Sequence, residues 1–238
     1  EDLFRAFHAF LDTDGPIDMD GNVWKLQKAY LGAAKKYRPK IWGLGGGPKL
    51  MDLSTTYCDG VSAAAPCVWA APEQAREEIA EIKKTLVAKG RDPEQFGFGI
   101  FCPVLLHEDK NVIDRALDNP LTRWMTSTYG RINPADWAKE GLESPVPLDW
   151  TYYMKMLPYD TSAEFREEVL RKSTRQTAEK GLFAGTPAEV AAILQKYVDA
   201  GVNWVLPVDY MPLMLTPEDA ATALNRSIEV CAHLKGVK

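Results

Sequence analysis

Lys40-Ile41-Trp42-Gly43-Leu44-Gly45-Gly46-Gly47-Pro48-Lys49-Leu50-Met51 reads as a short buried strand, a glycine turn and the start of a helix. The apolar run Lys40–Leu44 ends in three glycines and a proline, and a helical pattern follows at once. Glycines let the backbone approach a ligand closely, and the first helical N–H groups point outward at an anion. Pro48 suits the first helical position, where its missing N–H costs nothing. Gly45, Gly46, Gly47, Pro48 and Lys49 are therefore candidate ligand-binding residues, the alternative being a tight βα turn with no ligand. The stretch lacks the terminal Lys-Ser/Thr of a P-loop and does not match G-x-G-x-x-G.

Working outward, Leu3, Phe4, Phe7, Phe10 and Leu11 space out as a helix over residues 1–12. Because the chain opens on Glu1 inside this pattern with no cap before it, it reads as truncated or processed. Ile17–Leu26 reads as a hairpin around Asp20-Gly21. After the glycine turn come a helix over about 49–57, a strand at Val61–Ala65, and a helix from Pro72 to Lys89 stopped by Gly90-Arg91-Asp92-Pro93. Phe96–Leu106 reads as a third strand and Asn203–Val208 as a fourth. Thr186-Pro187-Ala188-Glu189 is a capping box opening a helix to about Ala200. Thr216-Pro217-Glu218-Asp219 opens a last helix to about Leu234. Residues 107–180 form a long insertion with a helix at Ala163–Ala178 and an aromatic cluster at Trp150, Tyr152 and Tyr153; insertions of this length often carry binding function. Strands alternating with helices imply a parallel sheet, either a small open α/β sheet or half of a (β/α)8 barrel.

With 238 residues the chain suffices for one sizeable domain, and a net charge of -5 argues against a general nucleic-acid binder. No apolar run is long enough to span a bilayer and no signal peptide is visible, so a cytoplasmic location is expected. Cys58, Cys67, Cys102 and Cys231 are widely spaced, show no metal-ligand pattern and read as free thiols; no metal is expected.

The ordered set of the hairpin, Pro39–Met51, Asp59-Gly60, Gly90-Arg91-Asp92-Pro93, Gly185–Val190 and Tyr197-x-x-Ala200-Gly201-Val202 resembles the luciferase-like monooxygenase superfamily, within it the coenzyme F420-dependent oxidoreductases. Ala135–Pro145 is similar to the mycobacterial ketoreductases that act on phthiodiolone-type lipids. The resemblance implies a (β/α)8 barrel of which this chain matches the C-terminal half, strands five to eight, with the N-terminal strands missing. It places the glycine turn after strand five, with Gly46 and Gly47 against the deazaflavin. It implies hydride transfer to or from a carbonyl or similar carbon. The family's catalytic histidine and glutamate belong to the absent half, so the chain by itself is expected to be inactive, and its catalytic residues are unknown. Lys180 matches a position where sugar-phosphate-oxidising relatives hold a substrate phosphate, and Lys155 lies near another; an exposed lysine is the alternative for each. Those relatives carry threonine where this chain has Ala64, which argues against a sugar phosphate. Trp150 and the Tyr210–Met214 loop suggest a large, partly apolar or lipid-like substrate, with ordinary packing as the alternative. His107 is the histidine nearest the expected barrel mouth. The readings kept beside this one are an FMN-dependent monooxygenase of the same superfamily and a non-catalytic half-barrel binding module. A homo-oligomer is expected, because a half-barrel exposes two sheet edges.

Overall fold

Trp42 decides how the first strands assemble. In the computed structural model, which describes residues 1–32, 37–157 and 159–235, its indole lies over Gly60 and Gly97, where an added Cβ would come within 2.7 and 2.3 Å of the ring. The chain forms two compact units, Glu1–Ser62 with Glu81–Gly97, and Ala63–Ala80 with Phe98–Lys238.

The elements run α1 (Asp2–Asp12), β1 (Ile17–Asp20), β2 (Lys25–Ala29), β3 (Trp42–Leu44), α2 (Pro48–Tyr57), β4 (Gly60–Ala64), α3 (Pro72–Ala88), β5 (Gly97–Leu106), α4 (Lys110–Asp118), α5 (Pro120–Tyr129), α6 (Tyr152–Lys155), α7 (Ala163–Lys172), α8 (Arg175–Gly181), β6 (Phe183–Gly185), α9 (Pro187–Asp199), β7 (Trp204–Asp209), α10 (Pro217–Ala220) and α11 (Ala223–Leu234).

In the first unit β1 and β2 pair antiparallel, Met19 opposite Leu26. The connection is longer than the two-residue turn Asp20-Gly21 suggested: Gly21 N–H bonds to Trp24 O, and the Asp2 carboxylate accepts the N–H groups of Val23 and Trp24 at 2.6 and 3.2 Å. A Cβ on Gly21 would meet that carboxylate at 2.6 Å, so the glycine serves this close approach. β3 pairs in parallel with β4, Trp42 opposite Gly60. The expected strand loses its first two residues because Ile41 is tied to Asp59, giving its N–H to the carboxylate and accepting the Asp59 N–H on its carbonyl. Asp59 O then accepts from Gly97 N–H, which lays the start of β5 beside β4.

The Gly90–Pro93 motif gains a physical reason here. Gly90 has φ +72°, a left-handed conformation that glycine adopts without strain. Arg91 donates to the carbonyls of Thr55 and Cys58, and Lys89 to Asp52, Thr55 and Thr56. Two cations thus satisfy the last turn of α2, the end of the helix dipole that favours positive charge.

In the second unit β5 pairs in parallel with β7 and, beyond Val104, with β6. Ala65 N–H donates to Phe101 O, so the exit of β4 also runs beside β5. Trp69, Phe98, Ile100, Leu105, Leu194 and Tyr197 are fully buried. The strand β6 lies where no strand was expected; three residues carry too little pattern to announce one. The single helix expected over Ala163–Ala178 is two, because Thr174 caps α8 with a reciprocal Thr174–Thr177 box and ends helical bonding at Ser173. The expected last helix is likewise split into α10 and α11. The capping box on α9 forms as read, Glu189 N–H to Thr186 Oγ1 and Thr186 N–H to the Glu189 carboxylate. The side chains of Tyr153, Glu218 and Asp219 lie outside the described residues.

Candidate functional site

The glycine turn sits at the C-terminal end of β3 and opens α2. Gly45 has φ +138° and gives its N–H to Ser62 O at 2.9 Å, so the turn itself requires glycine there. Gly47 is different. It is the N-cap residue with φ −80° and ψ 150°, an ordinary extended conformation, and a Cβ on it would meet nothing within 4 Å. Neither backbone nor packing needs glycine at 47. No side chain caps α2, and Pro48 occupies its first turn. The first N–H groups of this helix are therefore open to a ligand, with Gly46 half-buried and Lys49 exposed beside them.

The other predicted residues lie in the second unit and are not gathered into one pocket. Lys155 closes locally on Asp149, 2.6 Å from its carboxylate. Lys180 pairs with Glu140 at 3.2 Å. Trp150 is buried, donates its indole N–H to Thr128 O at 2.8 Å and stacks on Phe165. His107 follows β5; its Nδ1 accepts the Asp109 N–H, and it lines a cleft of about 500 Å³ with Glu108, Arg175, Glu179 and Glu189. Arg175 is already engaged by Asp114, Asp118 and Glu179.

Two buried charges escaped the sequence reading. The Arg131 Nη1 reaches the carbonyls of Gly130 (2.6 Å), Lys180 (2.9 Å) and Pro66 (3.3 Å), Nη2 reaches Glu140 (3.0 Å), and the guanidinium lies over the Trp137 ring. Asp209, at the end of β7, accepts from Met211 and Leu106 N–H on Oδ1, while its Oδ2 and the Arg226 Nη1 are buried with no hydrogen-bond partner among the described residues. An aspartate directly after an apolar strand was the available signal for this one.

Burial raises the Asp209 carboxyl from 3.8 to about 6. A raised acid favours the protonated folded state, so its contribution to stability is full below about pH 4 and is lost as pH rises through about 6. Urea unfolding of Asp209→Asn should therefore gain on the parent between pH 4 and 6 and run parallel above pH 7. A constant difference across that range would contradict the assignment.

Among the described residues, no group of three or more His, Cys, Asp or Glu side chains could hold a metal ion. None of the described helices is long and apolar enough to cross a membrane. Cys58, Cys67 and Cys102 are buried free thiols, and Cys231 is half-buried.

Parallel strands joined by helices, with a glycine turn at a strand's C-terminal end, define an α/β protein of the kind that holds ligands at strand ends. Residues 1–203 match the luciferase-like monooxygenases, and the chain belongs to that family. It is similar to the phthiodiolone/phenolphthiodiolone dimycocerosates ketoreductase of Mycobacterium kansasii, 23% identical over 213 residues, 88% of this chain and 56% of the relative. The chain spans about half the length of the curated relatives it matches. Among solved structures it shares its fold with an F420-dependent secondary alcohol dehydrogenase in complex with an F420-acetone adduct (TM-score 0.61, 18% identity, 87% of this chain and 54% of that one). It shares it also with the coenzyme F420-dependent tetrahydromethanopterin reductase from Methanopyrus kandleri (TM-score 0.62, 15% identity, 95% and 60%).

Proposed function

We propose that this chain forms strands five to eight of a luciferase-like (β/α)8 barrel, and that its glycine turn is one wall of a coenzyme F420 site. The parent activity is that of an oxidoreductase moving a hydride to or from a carbonyl or similar carbon of an organic substrate. The deazaflavin supplies the hydride; the protein binds, orients and excludes water. The observation that carries the reading is Gly47, a glycine that neither its φ nor its packing requires, at a helix start with no side-chain cap where a side chain would fill the approach of a ligand. The order of the parallel strands and the likeness to two F420-dependent enzymes support it.

Titrating the full chain with F420 and, separately, FMN tests the assignment. F420 should bind, and Gly47→Val should weaken it at least about tenfold, the cost of losing one close backbone contact, while stability falls by no more than the roughly 1 kcal/mol that a poorer N-cap costs. Binding of FMN alone would replace the cofactor assignment. Equal F420 affinity in parent and variant would remove the turn from the site.

A further inference from the structure

In the first unit α1 covers only part of its apolar stripe. Phe7, Phe10 and Leu11 stand at i, i+3 and i+4 on one helical face. That face opens on a cavity of about 360 Å³ whose other apolar walls are Leu31, Pro39 and Ile41. Phe7 remains 48% exposed at its mouth. The volume lies at the small end of the range for small-molecule pockets, and such pockets combine apolar walls with a few placed polar groups.

Arg38 braces the two sides of this slot. Its Nε donates to the Asp12 carboxylate at 2.8 Å and its Nη2 to His8 Nδ1 at 2.8 Å, which leaves His8 Nε2 to donate to Tyr57 O at 2.6 Å. Ile41 is fixed in turn, with its N–H and its carbonyl both taken by Asp59. The walls are therefore tied to α1 and to β4's entry through named bonds. A water in the slot would need two or more polar partners, which six apolar residues do not supply. Left unfilled, the walls forgo dispersion contacts on one side. Both terms favour a hydrocarbon.

Charge at the rim selects its head. Among the described residues Lys40 is the one charged group of the lining; it is exposed and makes no ion pair. Nearby acids are engaged: Asp12 by Arg38, Asp2 by the N–H groups of Val23 and Trp24, Asp20 by Lys25. The sequence leans the same way, since residues 21–51 hold seven Lys and Arg and no Asp or Glu, in a chain of net charge -5. A cationic head would meet Lys40 as a like charge, and a multiply charged phosphate would find one ammonium. A single carboxylate matches it.

We propose that the slot between α1 and the start of β3 binds a medium-chain fatty carboxylate, with its tail among Phe7, Phe10, Leu11, Leu31 and Ile41 and its head on Lys40. The slot lies before β3 and the glycine turn after it, separated by a three-residue strand of roughly 10 Å. The proposal is independent of the F420 reading.

Calorimetric titration of the full chain with sodium octanoate, below its micellar range, tests this. One octanoate should bind saturably per chain and raise the thermal midpoint. Acetate, which lacks the tail, should not compete. Octyltrimethylammonium, of opposite charge, should bind at least about fivefold more weakly, the upper worth of an exposed ion pair. Lys40→Gln should weaken octanoate about fivefold and leave 1-octanol unchanged, whereas Lys40→Arg should keep octanoate affinity. Lys40 is exposed, so neither variant should alter folding. An octanoate analogue with a diazirine on its tail should label residues 7–11 or 39–41 on irradiation. Binding without saturation, equal affinity for octanoate and octyltrimethylammonium, full octanoate affinity in Lys40→Gln, or labelling confined to other residues would overturn the proposal. A dimer on gel filtration that takes up no octanoate would give the slot to a second copy and overturn it likewise.

Discussion

Replacing Arg131 with alanine should destabilise the protein by about 3–5 kcal/mol, the range for removing one partner of a buried charge pair. The side chain is 2% exposed and its partner Glu140 22%. Truncation leaves the carbonyls of Pro66, Gly130 and Lys180 without their donor, strands the Glu140 carboxylate beside Lys180 alone, and removes the cation from the face of Trp137. Each orphaned buried acceptor costs about 1–3 kcal/mol, although the three share one nitrogen and their costs do not add. For a chain of this size the loss lowers the thermal midpoint by roughly 10 °C. Arg131→Lys should recover only part, because an ammonium cannot fork between a carboxylate and several carbonyls. Denaturant unfolding of the three proteins checks this. A loss under about 1 kcal/mol for alanine would show that the network contributes little net free energy.

Trp69→Ala should cost a similar amount, about 3–5 kcal/mol, for a different reason. Trp69 is fully buried, its indole N–H donates to Glu78 at 2.7 Å, and its carbonyl accepts from the Tyr197 hydroxyl at 3.0 Å. The main loss is the cavity left in a close-packed interior. A smaller part is the Glu78 carboxylate, which loses the indole donor and keeps its bond from Gln74. Trp69→Phe retains most of the volume and deletes the N–H, so comparing the two variants separates packing from hydrogen bonding. If phenylalanine is as damaging as alanine, the indole N–H dominates and the cavity account fails.

Much of the framework was legible because it is written in local chemistry. The apolar runs that become β3, β4, β5 and β7 each carry a glycine or aspartate at one end, Gly45 after β3, Gly60 and Gly97 opening β4 and β5, and Asp209 closing β7, and the Thr186–Glu189 box announces α9 on its own. What escaped was decided by contacts far apart in sequence. Ala220-Ala221-Thr222-Ala223, which spans the junction of α10 and α11, is rich in the best helix former, yet helical bonding restarts at Thr222, and α11 carries the buried Arg226 to Glu108. The same holds at the candidate site. The glycine turn could be located from sequence. Whether Lys155 and Lys180 reach solvent or a neighbouring acid, and whether Trp150 faces a ligand or its own insertion, depends on where Asp149, Glu140 and Thr128 arrive in space. Arg131 gave no signal, since an arginine in an irregular stretch reads as surface until three carbonyls are found around it.

Trp42 carries a consequence for how this sequence can drift. Its ring rests on two residues that have no side chain, and a Cβ on Gly60 would also press on the Gly97 carbonyl at 2.8 Å. Positions 42, 60 and 97 therefore share one fixed allotment of space. A methyl gained at 97 has to be matched by atoms given up at 42, whereas at 60 the rigid backbone blocks even that exchange. Across related sequences the size of the residue at 97 should fall as that at 42 rises, while 60 stays glycine regardless.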